Sequence, residues 1–136
     1  MRVLIADDDR LVCEMLKEYV LACGHEVVDT ISGGGITVIQ SYGRYLPDVV
    51  LLDILMPRLN GFTVCHNVLS RYPNAKVILM SGQVERNHLS VTQSGAVAYL
   101  QKPFLLEELQ TVLASIAGKA TPVVLPEPAV TVEAAA

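Results

Sequence analysis

Four consecutive apolar residues, Val49-Val50-Leu51-Leu52, lead straight into a carboxylate, Asp53, and Pro57 follows four positions later. A short, uninterrupted apolar run between chain breakers is the pattern of a strand buried on both faces, as strands are inside a parallel sheet. Met56-Pro57 and Asn60-Gly61 then force the chain into a loop. The strand over 48–53 therefore places Asp53 at its carboxyl end, facing the crevice where open α/β sheets bind their ligands.

The same arrangement recurs along the chain. Val3-Leu4-Ile5-Ala6 reads as a first strand ending in Asp7-Asp8-Asp9, and residues 26–29 as a short second one. Residues 75–80 form a fourth strand ending in Ser81-Gly82, and 97–101 a fifth ending in Lys102-Pro103. Apolar residues at helical spacing fill the intervals. Leu11, Val12, Met15, Leu16, Tyr19, Val20 and Cys23 make the first stripe, with Asp9 as its N-cap and Gly24 as its stop. Ile36, Ile39, Tyr42 and Leu46 make the second, although Gly33-Gly34-Gly35 and the β-branched 36–39 lower its helix propensity. The glycine triplet is read as a turn rather than a phosphate cradle, because GxxxxGK[ST] is absent. Phe62, Cys65, Val68 and Leu69 mark a third helix before Pro73, and 85–94 a polar, poorly anchored fourth. Phe104, Leu105, Leu109, Val112, Leu113 and Ile116 give a final helix to about Gly118. Such (βα)5 alternation implies an α/β fold with a five-stranded parallel sheet covered on both faces and right-handed crossovers. The doubly wound, flavodoxin-like strand order 2-1-3-4-5 is expected. Residues 1–118 are read as one domain, and the Pro- and Ala-rich 119–136 as a tail or linker.

Composition narrows the function. A chain of 136 residues, 51% hydrophobic and 18% charged, suits one compact domain. No apolar run reaches the roughly 18 residues a membrane span needs, and acid appears too early for a signal peptide. With net charge −4 and its ten Lys and Arg scattered, the chain has no basic stripe for direct nucleic-acid binding. Cys13, Cys23 and Cys65, an odd count without CxxC spacing, are read as reduced packing thiols of a cytoplasmic protein. His25, His66 and His88 lack metal-ligand spacing or a triad partner.

In a parallel sheet every strand's carboxyl end points the same way, so Asp7, Asp8, Asp53, Ser81 and Lys102 should converge in one crevice. Two like charges 4 Å apart repel by roughly 4 kcal/mol at an effective dielectric near 20, so clustered carboxylates need protons or a cation. Oxygen-only donors suit Mg2+, which shares itself with phosphate. A carboxylate beside a divalent cation and a lysine is equipped to attack phosphorus and form an aspartyl phosphate. Taken singly, the same residues have plainer readings. The Asp7–Asp9 run alone reads as helix capping, Lys102 as a solvated lysine, Ser81 as a turn former and Tyr99 as a core aromatic.

Together, Asp7-Asp8, Asp53-x-x-Met56-Pro57-x-x-x-Gly61, Ser81-Gly82 and Tyr99-x-x-Lys102-Pro103 resemble the receiver domain of two-component response regulators, over residues 2 to about 118. The resemblance implies that Asp53 is the phosphoacceptor, served by a histidine kinase or histidine phosphotransfer protein. It implies Mg2+ held by Asp7, Asp8, Asp53 and the backbone carbonyl of Leu55. Lys102 would contact the phosphoryl oxygens, and Lys102-Pro103 would be a cis peptide. Ser81 and Tyr99 would form the switch, with output to a downstream domain or protein through the face made by 85–94, the fifth strand and the final helix. A phosphorylation-linked homodimer belongs to the same expectation, as does catalysis of nothing beyond the domain's own phosphorylation and dephosphorylation. The apolar Leu55, where many relatives carry a polar side chain, should shield the phosphoryl group from water, whereas Gln83 could shield it or orient a water. Two rivals stand beside this reading. One is a small Mg2+-dependent phosphohydrolase, disfavoured because Leu55 stands where a second acid is needed. The other is a phosphate-independent docking module, disfavoured because no site residue is missing.

Overall fold

The computed structural model describes residues 1–82, 91 and 93–117. Its centre is β3 (Val49–Asp53), buried at every position. On one side β3 pairs with β1 (Arg2–Ala6), and β1 pairs in turn with β2 (Glu26–Ile31). On the other side β3 pairs with β4 (Val77–Ser81) and β4 with β5 (Ala98–Gln101). All the pairings are parallel and the order is β2-β1-β3-β4-β5, the doubly wound arrangement expected from the alternation.

The helices α1 (Arg10–Ala22), α2 (Gly35–Tyr45), α3 (Gly61–Arg71) and a C-terminal helix (Leu106–Ile116) cover the two faces. Strand side chains alternate between them. Leu4, Ala6, Val50, Leu52, Val77 and Leu79 join Val38, Val64 and Val68 of α2 and α3 in one core. Val3, Ile5, Val49, Leu51, Ile78 and Met80 join Leu16 and Val20 of α1 and Leu109 and Leu113 of the C-terminal helix in the other. Each buried leucine or valine contributes about 2 kcal/mol of transfer free energy, so both faces resist a shift in strand register. Asp9 caps α1 by accepting from the Leu11 N–H at 2.9 Å. Asn60 caps α3 through Thr63 at 3.0 Å, and Glu108 closes the C-terminal helix by accepting from the Leu105 N–H at 2.7 Å.

Several expected boundaries move. β2 runs two residues further than its apolar pattern indicates, because Thr30 and Ile31 continue the ladder opposite Ile5 and Ala6. α2 forms despite its glycines: Gly34, at φ 123°, makes the turn that starts it, so the triplet is a turn. Leu11, Met15, Ile36, Leu46 and Leu105, placed by spacing in the buried stripes, are exposed, since they lie in first turns, caps or outer faces beyond the sheet. Cys13 and Cys65 are buried and Cys23 half-buried, all as free thiols. Most of the helix expected at 85–94, Gln83 and the tail at 119–136 lie outside the described residues.

Gly61 fixes the loop behind Asp53. Its N–H donates to the Ile54 carbonyl at 2.7 Å, and a Cβ there would sit 2.5 Å from the Asp53 carbonyl oxygen and 2.7 Å from Ile54 Cα. Backbone cannot yield as a flexible side chain does, so Gly61→Ala is expected to cost about 1–3 kcal/mol. Urea unfolding checks this. A midpoint equal to that of the unsubstituted protein would contradict it.

Candidate functional site

The pleat decides which strand-end side chains meet. Val49 and Leu51 point toward α1 and the C-terminal helix, so Asp53 follows them to that side, and Asp7 follows Val3 and Ile5. Lys102 continues the parity of Ala98 and Leu100 onto the same side. The side chains meet as that parity requires. Lys102 Nζ donates to Asp7 Oδ2 at 2.7 Å and lies 3.5 Å from Asp53 Oδ2. One carboxylate oxygen from each of Asp7, Asp8 and Asp53 falls within 4.8 Å of the others. Asp7 and Asp53 are buried, whereas Asp8 is exposed and gives the cluster its opening to solvent.

Backbone donors hold the buried carboxylates. Asp7 Oδ1 accepts from the Asp9 N–H at 2.9 Å, and Asp53 Oδ1 accepts from the Leu55 N–H at 3.3 Å. Burial, then the neighbouring Asp7 charge, push the Asp53 carboxyl from its ordinary 3.8 up to about 6, against the opposing pull of Lys102 and the Leu55 N–H. Burial alone would lower the Lys102 ammonium, but the hydrogen bond to Asp7 and the charges of Asp53 and Asp7 outweigh it and leave it raised. Lys102 therefore stays charged, and it is the cation that the cluster shares.

Ser81 and Tyr99 stand on the other side of the pleat. Tyr99 packs against the core under α2 and α3, and Ser81 shares the parity of Val77 and Leu79. Ser81 is fully buried. Its backbone carbonyl accepts from the Tyr99 hydroxyl at 3.1 Å and from the Lys102 N–H at 2.9 Å, so the ends of β4 and β5 are tied together at that oxygen. The Lys102-Pro103 bond is cis.

The structure thus brings Asp7, Asp8, Asp53 and Lys102 into one pit, with Ser81 and Tyr99 joined beside it. Spacing did not reveal which apolar residues after the strand ends stay exposed. Leu11 (80% exposed), Leu55 (54%) and Leu105 (65%) follow the ends of β1, β3 and β5 and remain open to solvent. A sequence signal existed: each is an apolar residue in a loop or first turn, where polar residues are the default. Hard oxygen donors grouped at this spacing, with one exposed member for entry, fit Mg2+.

Fold and site together define a doubly wound α/β domain with an acidic, lysine-bridged pit at the carboxyl edge of its sheet. The response regulator receiver domain model matches residues 3–114, and the chain belongs to that family. It is 34% identical over 110 residues to the response regulator MprA of Mycobacterium leprae, covering 80% of this chain and 47% of that protein. The chain thus spans about half the length of the MprA regulators it matches. It is 33% identical over 104 residues to the chemotaxis protein CheY of Thermotoga maritima, covering 76% of this chain and 86% of that one. Among solved structures, a chain of the CheX-CheY-BeF3-Mg2+ complex from Borrelia burgdorferi superposes with a TM-score of 0.80 at 27% identity, over 86% of this chain and 89% of that one. Receiver domains are phosphorylation-dependent signalling switches of two-component systems, not turnover enzymes, and they bind Mg2+ through acidic residues. Among the described residues, no helix is long and apolar enough to cross a membrane.

The Asp53 environment has a consequence for stability when no metal is added. Its carboxyl ionises near 6 in the folded protein and near 3.8 when ordinary, so folding favours the protonated form. That contribution is fully present below the lower value and is lost as pH rises through the upper one. Asp53→Asn, which cannot ionise, should be more stable than the unsubstituted protein by about 1–3 kcal/mol near neutral pH, with the advantage shrinking toward pH ~4. Urea midpoints in chelator at both pH values read this directly. A less stable Asn variant at neutral pH would contradict it.

Proposed function

We propose that this chain is a receiver that accepts a phosphoryl group on Asp53 from a histidine kinase or histidine phosphotransfer protein, over a domain spanning residues 1–118 with 119–136 as tail or linker. The observation that carries this is the single ammonium of Lys102 held between Asp7 and Asp53 beside Asp8. In the transfer, an Asp53 carboxylate oxygen bonds to phosphorus as the donor's P–N bond breaks and the imidazole leaves with that electron pair. Asp7, Asp8, Asp53 and the Leu55 carbonyl would hold Mg2+, which supplies charge neutralisation at the phosphoryl oxygens. Lys102 donates to one of those oxygens, and its existing pairing with two carboxylates keeps it charged and aimed. A cytoplasmic setting belongs to the same reading, as the odd cysteine count without CxxC spacing suits a reducing compartment.

The switch follows from differential bonding. A phosphate on Asp53 favours the state in which the Ser81 hydroxyl bonds it, and Tyr99 responds because its hydroxyl is tied to the Ser81 carbonyl. Moving a two-state domain from 1:99 to 99:1 requires about 5.5 kcal/mol of differential binding, within reach of several charge-assisted hydrogen bonds plus repacking of one ring. Output then passes through 85–94, β5 and the C-terminal helix to a downstream domain or protein, or to a second copy. The exposed Leu55, whose N–H donates to Asp53, suits a donor that lays an apolar surface against it while presenting its phosphoryl group to Asp53.

Intact mass after treatment with acetyl phosphate and Mg2+ tests the proposal. One stable phosphoryl group on the unsubstituted protein and none on Asp53→Ala are expected, with Leu55→Asn losing its phosphate faster than the unsubstituted protein. Continuous turnover of a phosphomonoester would favour the phosphohydrolase, and no modification at all the phosphate-independent module. Equal labelling of Asp53→Ala would contradict the acceptor assignment.

A further inference from the structure

The loop after Asp53 carries Leu55, whose N–H donates to Asp53 Oδ1 at 3.3 Å. That loop contains an uncommon backbone. Arg58 has φ 73°, and the Leu59 N–H donates to the Pro57 carbonyl at 2.8 Å, which makes a tight γ-turn around Arg58. A non-glycine residue at positive φ holds only where its surroundings impose it. Gly61 constrains the loop from behind, as described above. On the outer side the constraint comes from the start of α2. A Cβ on Gly35 would lie 2.7 Å from Leu59 Cβ, 2.8 Å from the Leu59 carbonyl oxygen and 2.7 Å from Val64 Cγ2, and a Cβ on Gly34 would lie 3.4 Å from the Pro57 carbonyl oxygen. Leu59, half-buried, packs against the same core as Val38 of α2 and Val64 of α3.

From these contacts we infer that Gly35 is a positioning residue for the phosphoacceptor site: the first turn of α2, lying against Leu59 without clearance, sets the γ-turn and through it the placement of Leu55 beside Asp53. The atoms nearest a Cβ on Gly35 belong to Leu59 and Val64, not to Asp53. Its effect is transmitted by backbone, because the Leu59 carbonyl cannot rotate away as a side-chain tip would. Movement at the start of α2 and movement in the loop after Asp53 are thereby coupled, which gives the site a mechanical connection on the side of the sheet edge away from β4 and β5. The consequence for metal binding rests on the receiver reading given above, whereas the placement of Leu55 does not.

The test separates the two. In metal-free protein, 1H–15N spectra of Gly35→Ala should show the Leu55 and Asp53 amides displaced, and Leu59→Gly, which removes the Cβ that lies against Gly35, should displace the same amides. Gly33→Ala, at a position with nothing within 4 Å of the added carbon, should leave them in place. Displacements confined to α2 and α3, with Leu55 unmoved in Gly35→Ala and Leu59→Gly, would overturn the inference. If Gly35→Ala fails to fold, Leu59→Gly decides alone. A magnesium titration on the same samples should show affinity reduced roughly tenfold in Gly35→Ala, the lower end of what the loss of a supporting contact around a metal site costs, and partly restored in Gly35→Ala/Leu59→Gly, which removes the opposing Cβ. Absence of saturable Mg2+ binding in the unsubstituted protein would count against the receiver reading while the metal-free amide positions still judge Gly35.

Discussion

Everything at the carboxyl edge of this sheet answers to the repulsion among Asp7, Asp8 and Asp53. Three carboxylates with oxygens within 4.8 Å of one another, two of them buried, cannot all be charged at low cost without a cation. The molecule meets this in two ways. Lys102 stands between Asp7 and Asp53, and burial, reinforced by the Asp7 charge, pushes Asp53 toward protonation, with its carboxyl at about 6. Neither answer is complete, and the oxygen donors left at the pit are of the kind that suits a divalent cation. A cluster fully neutralised by its own side chains would be more stable and would do nothing.

The fold supplies the cluster through parity and direction. Parallel strands all end at one edge, and the alternation that sends Val49 and Leu51 toward α1 also sends Asp53 there. The same alternation sends Tyr99 to the opposite core. The pit and the aromatic ring therefore lie on opposite sides of a two-faced sheet, joined at the Ser81 carbonyl, which receives both the Tyr99 hydroxyl and the Lys102 N–H.

Much of this was legible in the residues because each strand announces itself as an apolar run and each run stops at a chemically distinctive side chain. Val3–Ala6 into Asp7-Asp8, and Val49–Leu52 into Asp53, need only the parallel-sheet rule to become a site. The illegible parts have a common cause: they depend on contacts between segments far apart in sequence. Spacing put Leu11, Ile36 and Leu105 in buried stripes, but a helical period cannot say where the sheet ends, and these residues lie past its edge. β2 gained Thr30 and Ile31 from the ladder with β1, not from its own hydrophobicity. Gly35 and Gly61 looked like turn residues, although each matters through the backbone pressed against it.

The most direct measure of the central claim is the Mg2+ dissociation constant of the unsubstituted protein, Asp8→Asn and Lys102→Met, obtained by calorimetric titration at one ionic strength. If a shared ammonium and three carboxylates set the potential of the pit, Asp8→Asn binds the ion more weakly than the unsubstituted protein and Lys102→Met more tightly. Three indistinguishable constants would show that these charges do not act on one another, and the account would be wrong at its root.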